Sequence, residues 1–472
     1  MIKAKSKSVI TEGPIFFEML KFAVPLMLTG ILQMLYNMAD SIVVGKFSGD
    51  NAALGAVGCT GSLTTLMIGG MFALSAGASV VTAQFYGAKD EKKVSSSVHT
   101  SIALSLIGGI FLMALGLVFT RPLLTLMGTQ DLYFEKAALY VTIICIGIPA
   151  SSVYNFGAAS LRAVGDSKTS LYILSVSGLV NVILNVVFVV CFNMSVAGVA
   201  TATIVSQYLS AIAVIVVLMH RRGECYAFSI KKLRIDVSIL KRILYIGLPM
   251  VLQSSLFSVS NMIFTRAVNS FPPEVIDAKA IAFNIENITY IVMNAFANAT
   301  VTYVGQNYGA AKYSRLNKIF RYSLIQVAAI GIIVSYTEFL FGRSLSMLFL
   351  DASNPMKEEI LDGVMRMFSV MLTTYFLCGI MDVLSNILKA LGFSLRSMVA
   401  VLLGMCVRVA WVLFVVPIPK FHTVEWLFSA YVWSWLATVL ILLVCCLQAW
   451  RKLEISKKVK LEKEEKICEK AH

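Results

Sequence analysis

What most constrains this chain is a series of apolar stretches, each about 20 residues long, that recurs from one end to the other. Twelve can be counted, centred near residues 28, 65, 107, 148, 180, 208, 253, 290, 329, 376, 406 and 438, with short polar loops carrying Lys, Arg, Gly or Pro between them. A helix of about 20 apolar residues spans the hydrocarbon of a bilayer, and inside it only helices and closed barrels satisfy their own backbone groups. Composition agrees: of 472 residues, 58% are hydrophobic and 14% charged, and the mean hydropathy is +0.80. The expectation is an all-α integral membrane protein with twelve transmembrane helices. The opening MIKAKSKSVITEGPIFFEMLKF is basic but has no small-residue cleavage site before its apolar run, so a retained first helix is predicted.

Charge sets the expected orientation. Of the 40 Lys and Arg, 30 fall on segments that share a side with the N-terminus, which by the positive-inside bias places both termini in the cytoplasm. The net charge of +14 is mostly this topology signal; the basic residues are divided among many short loops, so no nucleic-acid partner is expected. Nine cysteines include no CxxC pair, and the four histidines have no metal-ligand spacing. GDSKTS from Gly165 lacks the GxxxxGK[ST] spacing that cradles phosphates, which argues against ATP as the driver. No cofactor is expected. Neither is an enzyme: no cluster of acids, histidines and a nucleophile stands at the membrane face, and DASNPMKEE, Asp351 to Glu359, reads as an outer loop.

The chain also repeats itself. QFYGA at Gln84 to Ala88 returns as QNYGA at Gln306 to Ala310, PLMLTGILQMLYNM from Pro25 parallels PMVLQSSLFSVSNM from Pro249, and LRAVGDS from Leu161 parallels LKALGFS from Leu388. The order is kept at an offset of roughly 225 residues, and six spans per copy make the repeat parallel about an axis along the membrane normal. Two pseudo-twofold-related six-helix lobes, 1–219 and 243–450, are therefore expected around a central cleft. The basic linker 220–242 would lie along the inner leaflet, and a charged tail, 451–472, would be cytoplasmic. A carrier that rocks two lobes about a buried site needs such a cleft.

With these motifs the chain resembles the multidrug and toxic compound extrusion (MATE) family. The resemblance rests on the AQFYGA and GQNYGA pair, YNMADSIVVGKF, YNFGAASLRAVGDS, NVILN and GVATATIVSQ, in that arrangement over nearly the whole chain. It implies a secondary antiporter of the plasma (inner) membrane that expels small organic compounds, often cationic and amphipathic, in exchange for H⁺ or Na⁺. The alternative is a flippase or exporter of a lipid-linked or anionic metabolite with the same two-lobed architecture. A monomer is expected.

One aspartate focuses the site. Gln33, Tyr36, Asn37 and Asp40 fall on one helix face amid Met, Leu and Ile, and an intramembrane acid marks an ion or proton route more often than a packing contact. Counting along the helices places Asn181 and Asn185 of the fifth span, and Thr203 of the sixth, in the same depth band. A carboxylate, two amides and a hydroxyl suit a hard monovalent cation, Na⁺ included, or a titrating Asp40. The family pattern carries its amino-lobe cation site onto these four positions, with Asn185 where some relatives have a second acid. Tyr36, Tyr140 and Asn155 are expected to line the same cavity. The bland alternative makes the two asparagines interhelical glue.

In the second copy Arg408 stands where the first has Asn181. A buried guanidinium needs a partner, and Glu286, on a face with Tyr290 and Asn294, or Asp382, on a face with Asn386, would supply one. Otherwise the cargo carries a negative group. Gln253, Phe257 and Asn261 form a further stripe expected to face the cleft.

Overall fold

The structure, a computed structural model, describes residues 9–47, 52–350 and 355–471. The basic opening at 1–8 and Asp351 to Asn354 of the expected outer loop lie outside the described residues. Among those described there is no strand, and the chain forms twelve long helical rods. They are α1 (Ile15–Phe47), α2 (Ala53–Gly87), α3 (Glu91–Leu126), α4 (Asp131–Ala163), α5 (Ser167–Val186) and α6 (Ser195–His220). The second series is α7 (Val237–Val268), α8 (Pro273–Gly309), α9 (Tyr313–Leu340), α10, α11 (Ser394–Ala410) and α12 (Val424–Ala471). Two pieces make α10, Lys357–Met371 and Phe376–Ala390, bent by 43° about the 3-10 turn Leu372–Thr374. Ten of the rods are long and apolar enough to cross a membrane, and α10 makes eleven. The amide-rich α8 falls short on hydropathy, although it runs from Pro273 to Gly309 without a break.

Helix starts follow local chemistry. Asp90 caps α3 by accepting from the backbone N–H of Lys93 at 3.1 Å, and Asp166 caps α5 by accepting from that of Thr169 at 3.0 Å. Pro25 in α1 does not break the helix.

The repeat seen in the sequence is also present in the local geometry. Lys89 and Ala311 share a left-handed backbone (φ 57° and 54°), as do Gly165 and Gly392 (φ 100° and 89°). Both α5 and α11 end in a π turn, Val187–Cys191 and Trp411–Val415. Non-glycine residues rarely hold positive φ, so the match of Lys89 with Ala311 at nearly the offset of the sequence repeat reflects a common template.

By backbone contacts the chain divides into two compact units. The first is Met1–Ser255 with Ile291–Ser323, and the second is Leu256–Tyr290 with Leu324–His472. The division passes through α7 and α8 in mid-helix.

In the first unit α4 is the hub, packing on α2, α3 and α6, while α1 lies along α5 and α5 along α6. With no hydrophobic drive between helices in lipid, small residues and interhelical hydrogen bonds of about 0.6 kcal/mol each hold such a bundle. Ser79 Oγ donates to Ala159 O at 3.1 Å, and the hydroxyls of Thr82 and Ser97 meet at 2.8 Å. The QFYGA and QNYGA motifs serve the same end: Gly87 lies against the Gln306 carbonyl, and Gly309 against that of Gln84, so closely that a Cβ at either would overlap backbone. Gln306 Nε2 then donates to Ala163 O at 2.7 Å, and Arg242 Nη2 donates to Gln84 Oε1. In the second unit α11 packs on α12 and both pack on α10. Phe264, Phe428 and Tyr431 fill its centre edge to face.

Candidate ion and substrate site

One turn before Asp40, α1 packs closely on α5. The Tyr36 ring occupies the space a side chain at Gly178 would take, and its hydroxyl donates to Ser175 O at 3.3 Å. That contact sets the rotation of α1, and a residue four further on meets the ends of α5 and α6.

There the structure brings Asp40, Asn181, Asn185 and Thr203 together. Asn185 Nδ2 donates to Asp40 Oδ1 at 2.5 Å and lies 3.3 Å from Asn181 Oδ1. Asn181 Nδ2 reaches Thr203 Oγ1 at 3.5 Å, and Thr203 Oγ1 stands 3.4 Å from Asp40 Oδ2. Asn181 and Asn185 are buried, and Asp40 is partly so. No Lys or Arg pairs with Asp40 among the described residues, so its partners are neutral.

Counting protons shows what the cluster lacks. Thr203 has one hydroxyl proton, and Val199 O at 2.9 Å is the better acceptor for it, which leaves the approach to Asp40 as oxygen facing oxygen. Asn185 Oδ1 is buried with no hydrogen-bond partner. An orphaned buried carbonyl costs about 1–3 kcal/mol, and a cation or proton among these oxygens would offset it.

The other expected residues are more scattered. Tyr140 packs against the cluster of Val43, Val44, Val189 and Val199, beside the turn that carries Asp40. Asn155 lies 15 residues further along α4, about 22 Å away at the helical rise. It donates to Ser151 Oγ at 3.4 Å and is not brought to Asp40. Gln33 and Asn37 are exposed, and neither side chain bonds to the cluster. A residue absent from the expected set, Gln207, sits one turn along α6 from Thr203 and turns an unpartnered Oε1 toward Gly147 of α4. The i, i+4 spacing from Thr203 was its only sequence signal.

In the second unit Arg408 pairs with neither Glu286 nor Asp382. Its Nε donates to Ser260 Oγ at 3.0 Å, its guanidinium stacks 5.1 Å from the Phe257 ring centre and 4.9 Å from that of Tyr431, and its buried Nη2 has no partner. The physical reason is that a planar cation can be held by aromatic faces as well as by a carboxylate. Glu286 is buried within electrostatic range of a second acid, Glu338, rather than of a base that neutralises it. Glu338 Oε1 accepts from the backbone N–H of Thr289 at 3.2 Å, and its Oε2 has no partner. An acid in the apolar run VAAIGIIVSYTEFLF carries the same sequence signal as Asp40, yet the expected set omits it. On α7, Gln253 Oε1 and Asn261 Oδ1 are buried and unpartnered. Tyr290 is 40% exposed, and Asp382 is partly buried.

The comparison with known families decides what kind of protein carries this arrangement. A family model described as MatE matches residues 25–187 and again 249–413, once per copy of the repeat. The chain belongs to the MatE family. Among curated MatE relatives, the probable multidrug resistance protein YoeA of Bacillus subtilis (strain 168) is 26% identical over 389 residues, 81% of this chain and 82% of that one. The multidrug export protein MepA of Staphylococcus aureus (strain MSSA476) is 22% identical, covering 81% and 83%. The FAD transporter of Shewanella oneidensis is 22% identical, covering 84% and 86%. A crystal structure of MATE in the bent conformation superposes with a TM-score of 0.85 at 21% identity, covering 96% of this chain and 99% of that one. A Pyrococcus furiosus transporter of the MOP superfamily, whose structure is described by the reverse polarity of its binding pocket, superposes at 0.86 with 20% identity, covering 97% and 100%. The MatE fold, multi-pass and all-helical with two lobes of six helices, is the fold of this chain.

Proposed function

We propose that this protein is a secondary antiporter that exports small organic compounds in exchange for H⁺ or Na⁺ bound at Asp40, Asn181, Asn185 and Thr203. The observation that carries the reading is a lone carboxylate whose partners are all neutral, beside a buried Asn185 Oδ1 with no partner. A carboxylate locked to a base could not change its charge state at modest cost; one held by amides and a hydroxyl can take up a proton or a monovalent cation. Exchange then follows from competition. With the site empty, Asp40 keeps its charge and the first half holds cargo; ion entry from outside neutralises the carboxylate, cargo affinity falls, and release follows. The ion biases the equilibrium only by its differential affinity for the two states.

The protein works in the plasma (inner) membrane as a monomer, with both termini cytoplasmic, the halves 1–219 and 243–450 alternately opening the site, and 220–242 joining them. Tyr36, Tyr140 and Gln207 border the ion site; Gln253, Phe257, Asn261, Tyr290 and Arg408 face cargo. The deciding experiment is efflux of a fluorescent amphipathic cation from proteoliposomes under an imposed pH or Na⁺ gradient. Asp40→Asn should abolish gradient-driven transport while the protein still inserts; transport that persists removes Asp40 from the mechanism.

A second reading concerns the cargo. Arg408 keeps an unpartnered buried Nη2 and has no carboxylate to neutralise it, which favours an anionic or π-rich organic compound, such as a relative named as an FAD transporter would carry. Competition between anionic and cationic dyes in the same assay separates the two, and Arg408→Gln should weaken only the anionic one.

A further inference from the structure

The linker between the two copies does more than connect them. Its aromatic residues are tied to the ends of α3 and α6: Phe228 and Tyr226 are buried with Val94, Val98 and Leu218, the Phe228 N–H donates to Leu218 O at 3.1 Å, and the Asp236 N–H donates to Thr100 Oγ1 at 3.0 Å. Beneath them His99 is 2% exposed and stacks on Phe228 at 5.2 Å. Its Nε2 accepts from the Ser229 N–H at 3.1 Å, so Nδ1 carries the proton toward Ser95 O at 2.7 Å and the ring is neutral. The linker is thereby held over a cavity of about 960 Å³.

Five basic side chains border this cavity, Lys92, Arg222, Lys231, Lys232 and Arg234, against two acids, Glu91 and Glu224. None of the five makes an ion pair among the described residues. The Cys225 thiol at the wall adds no charge, since burial first, and then Glu91 and Glu224, push it up to about 11. Beside the cations the linker exposes Ile230 (65%) and Val237 (61%), with Leu233 between them. The cavity also lies where α3 and α7 start and α6 ends, at the ends of three helices long and apolar enough to span a bilayer, which for helices of that length is the depth of lipid headgroups. A cluster of unpaired cations next to bare aliphatic side chains at that depth complements a phosphate that carries acyl chains.

We propose that this cavity binds the phosphate headgroup of an anionic phospholipid from the leaflet on the terminus-bearing face, with its chains against Ile230, Leu233 and Val237. The bound lipid ties the linker to the membrane surface.

The test uses the full-length protein in phosphatidylcholine nanodiscs, titrated with a dye-labelled phosphatidylglycerol. Removing two cavity charges, Lys232→Gln with Arg234→Gln, should weaken binding about thirtyfold, at about 1 kcal/mol per basic residue. Removing two exposed charges elsewhere on the same face, Lys318→Gln with Arg321→Gln, should leave it within twofold. Ile230→Ser with Val237→Ser should weaken the lipid but not inorganic pyrophosphate. Equal weakening by both charge pairs would reduce the effect to diffuse surface attraction and overturn the site. Pyrophosphate that displaces the labelled lipid at the lipid's own affinity would overturn the lipid as occupant. Thermal unfolding in phosphatidylcholine alone checks that each variant is folded.

Discussion

The two units each bury an isolated charge and treat it in opposite ways. In the first, Asp40 is received by an amide and approached by a hydroxyl, and oxygens are left over around it. In the second, Arg408 is received by one hydroxyl and two aromatic faces, and N–H capacity is left over. Neither is locked to an opposite charge. Descent from one template has kept the place of a polar residue along the helix but not its charge: the position that holds Asn181 in one copy holds Arg408 in the other. The first is left with acceptors to spare and the second with donors to spare.

That contrast can be broken most decisively at Asp40. If the carboxylate is the coupling group, Asp40→Asn removes gradient-driven efflux altogether, whereas Arg408→Gln leaves coupling intact and changes only which cargo competes. A result in which both variants lose coupling equally would erase the distinction. Next in size, Gly178→Ala drives a methyl into the Tyr36 ring. Overpacking of this kind costs about 1–3 kcal/mol. Thermal unfolding should show the loss, and Tyr36→Ala in the same chain should recover part of it, since the two residues share one contact.

A third comparison separates an ion ligand from interhelical glue. Asn185→Ala removes both the donor to Asp40 and the orphaned Oδ1, and should weaken the apparent affinity for the coupling ion by roughly 1–3 kcal/mol, or about five- to 150-fold. Asn185→Asp adds a second carboxylate and should tighten it. If both substitutions change stability alone, with the ion dependence of transport unmoved, the pair of asparagines is structural. On the other side, breaking a buried ion pair typically costs about 3–5 kcal/mol because a charge is orphaned. Arg408→Met orphans none, so about 1–2 kcal/mol is expected from the lost hydrogen bond and stacking; a larger loss in thermal unfolding would reveal a carboxylate partner.

The smallest effect lies outside the membrane. Asp236 caps α7, and the Ser238 hydroxyl at 2.6 Å, then the Ile239 N–H at 3.3 Å, hold its carboxyl below the ordinary range. Because the folded value is the lower one, the stabilisation is full above the unfolded value of about 3.9 and is lost as pH falls through the folded one. Asp236→Asn should therefore flatten the acid limb of a stability profile and leave the neutral region nearly unchanged.

The segments that became helices were legible because membrane solubility imposes one length and one composition on each of them. Even so, α8 is too polar to pass as a span by itself; its five asparagines, Asn284, Asn287, Asn294, Asn298 and Asn307, sit in a helix recognisable mainly through the repeat. Asp40 with Asn181, Asn185 and Thr203 was legible for a related reason: few polar residues occur at that depth, and helix register fixes how deep each lies. The distance of Asn155 from Asp40 was not legible, because facing inward says nothing of how far along α4 a residue stands. Ser260 and Tyr431 could not be foreseen as the partners of Arg408, since hydroxyls and aromatics are ordinary in any apolar span.

Sequence alone therefore determined the number of rods, their order and the duplication, because periodicity and hydropathy are properties of one helix in one solvent. The tertiary structure decided which neutral groups meet each charge and which polar atoms are left without partners. Those depend on how far each rod is rotated about its axis, and that rotation is set by contacts such as Tyr36 against Gly178 between helices far apart in the chain.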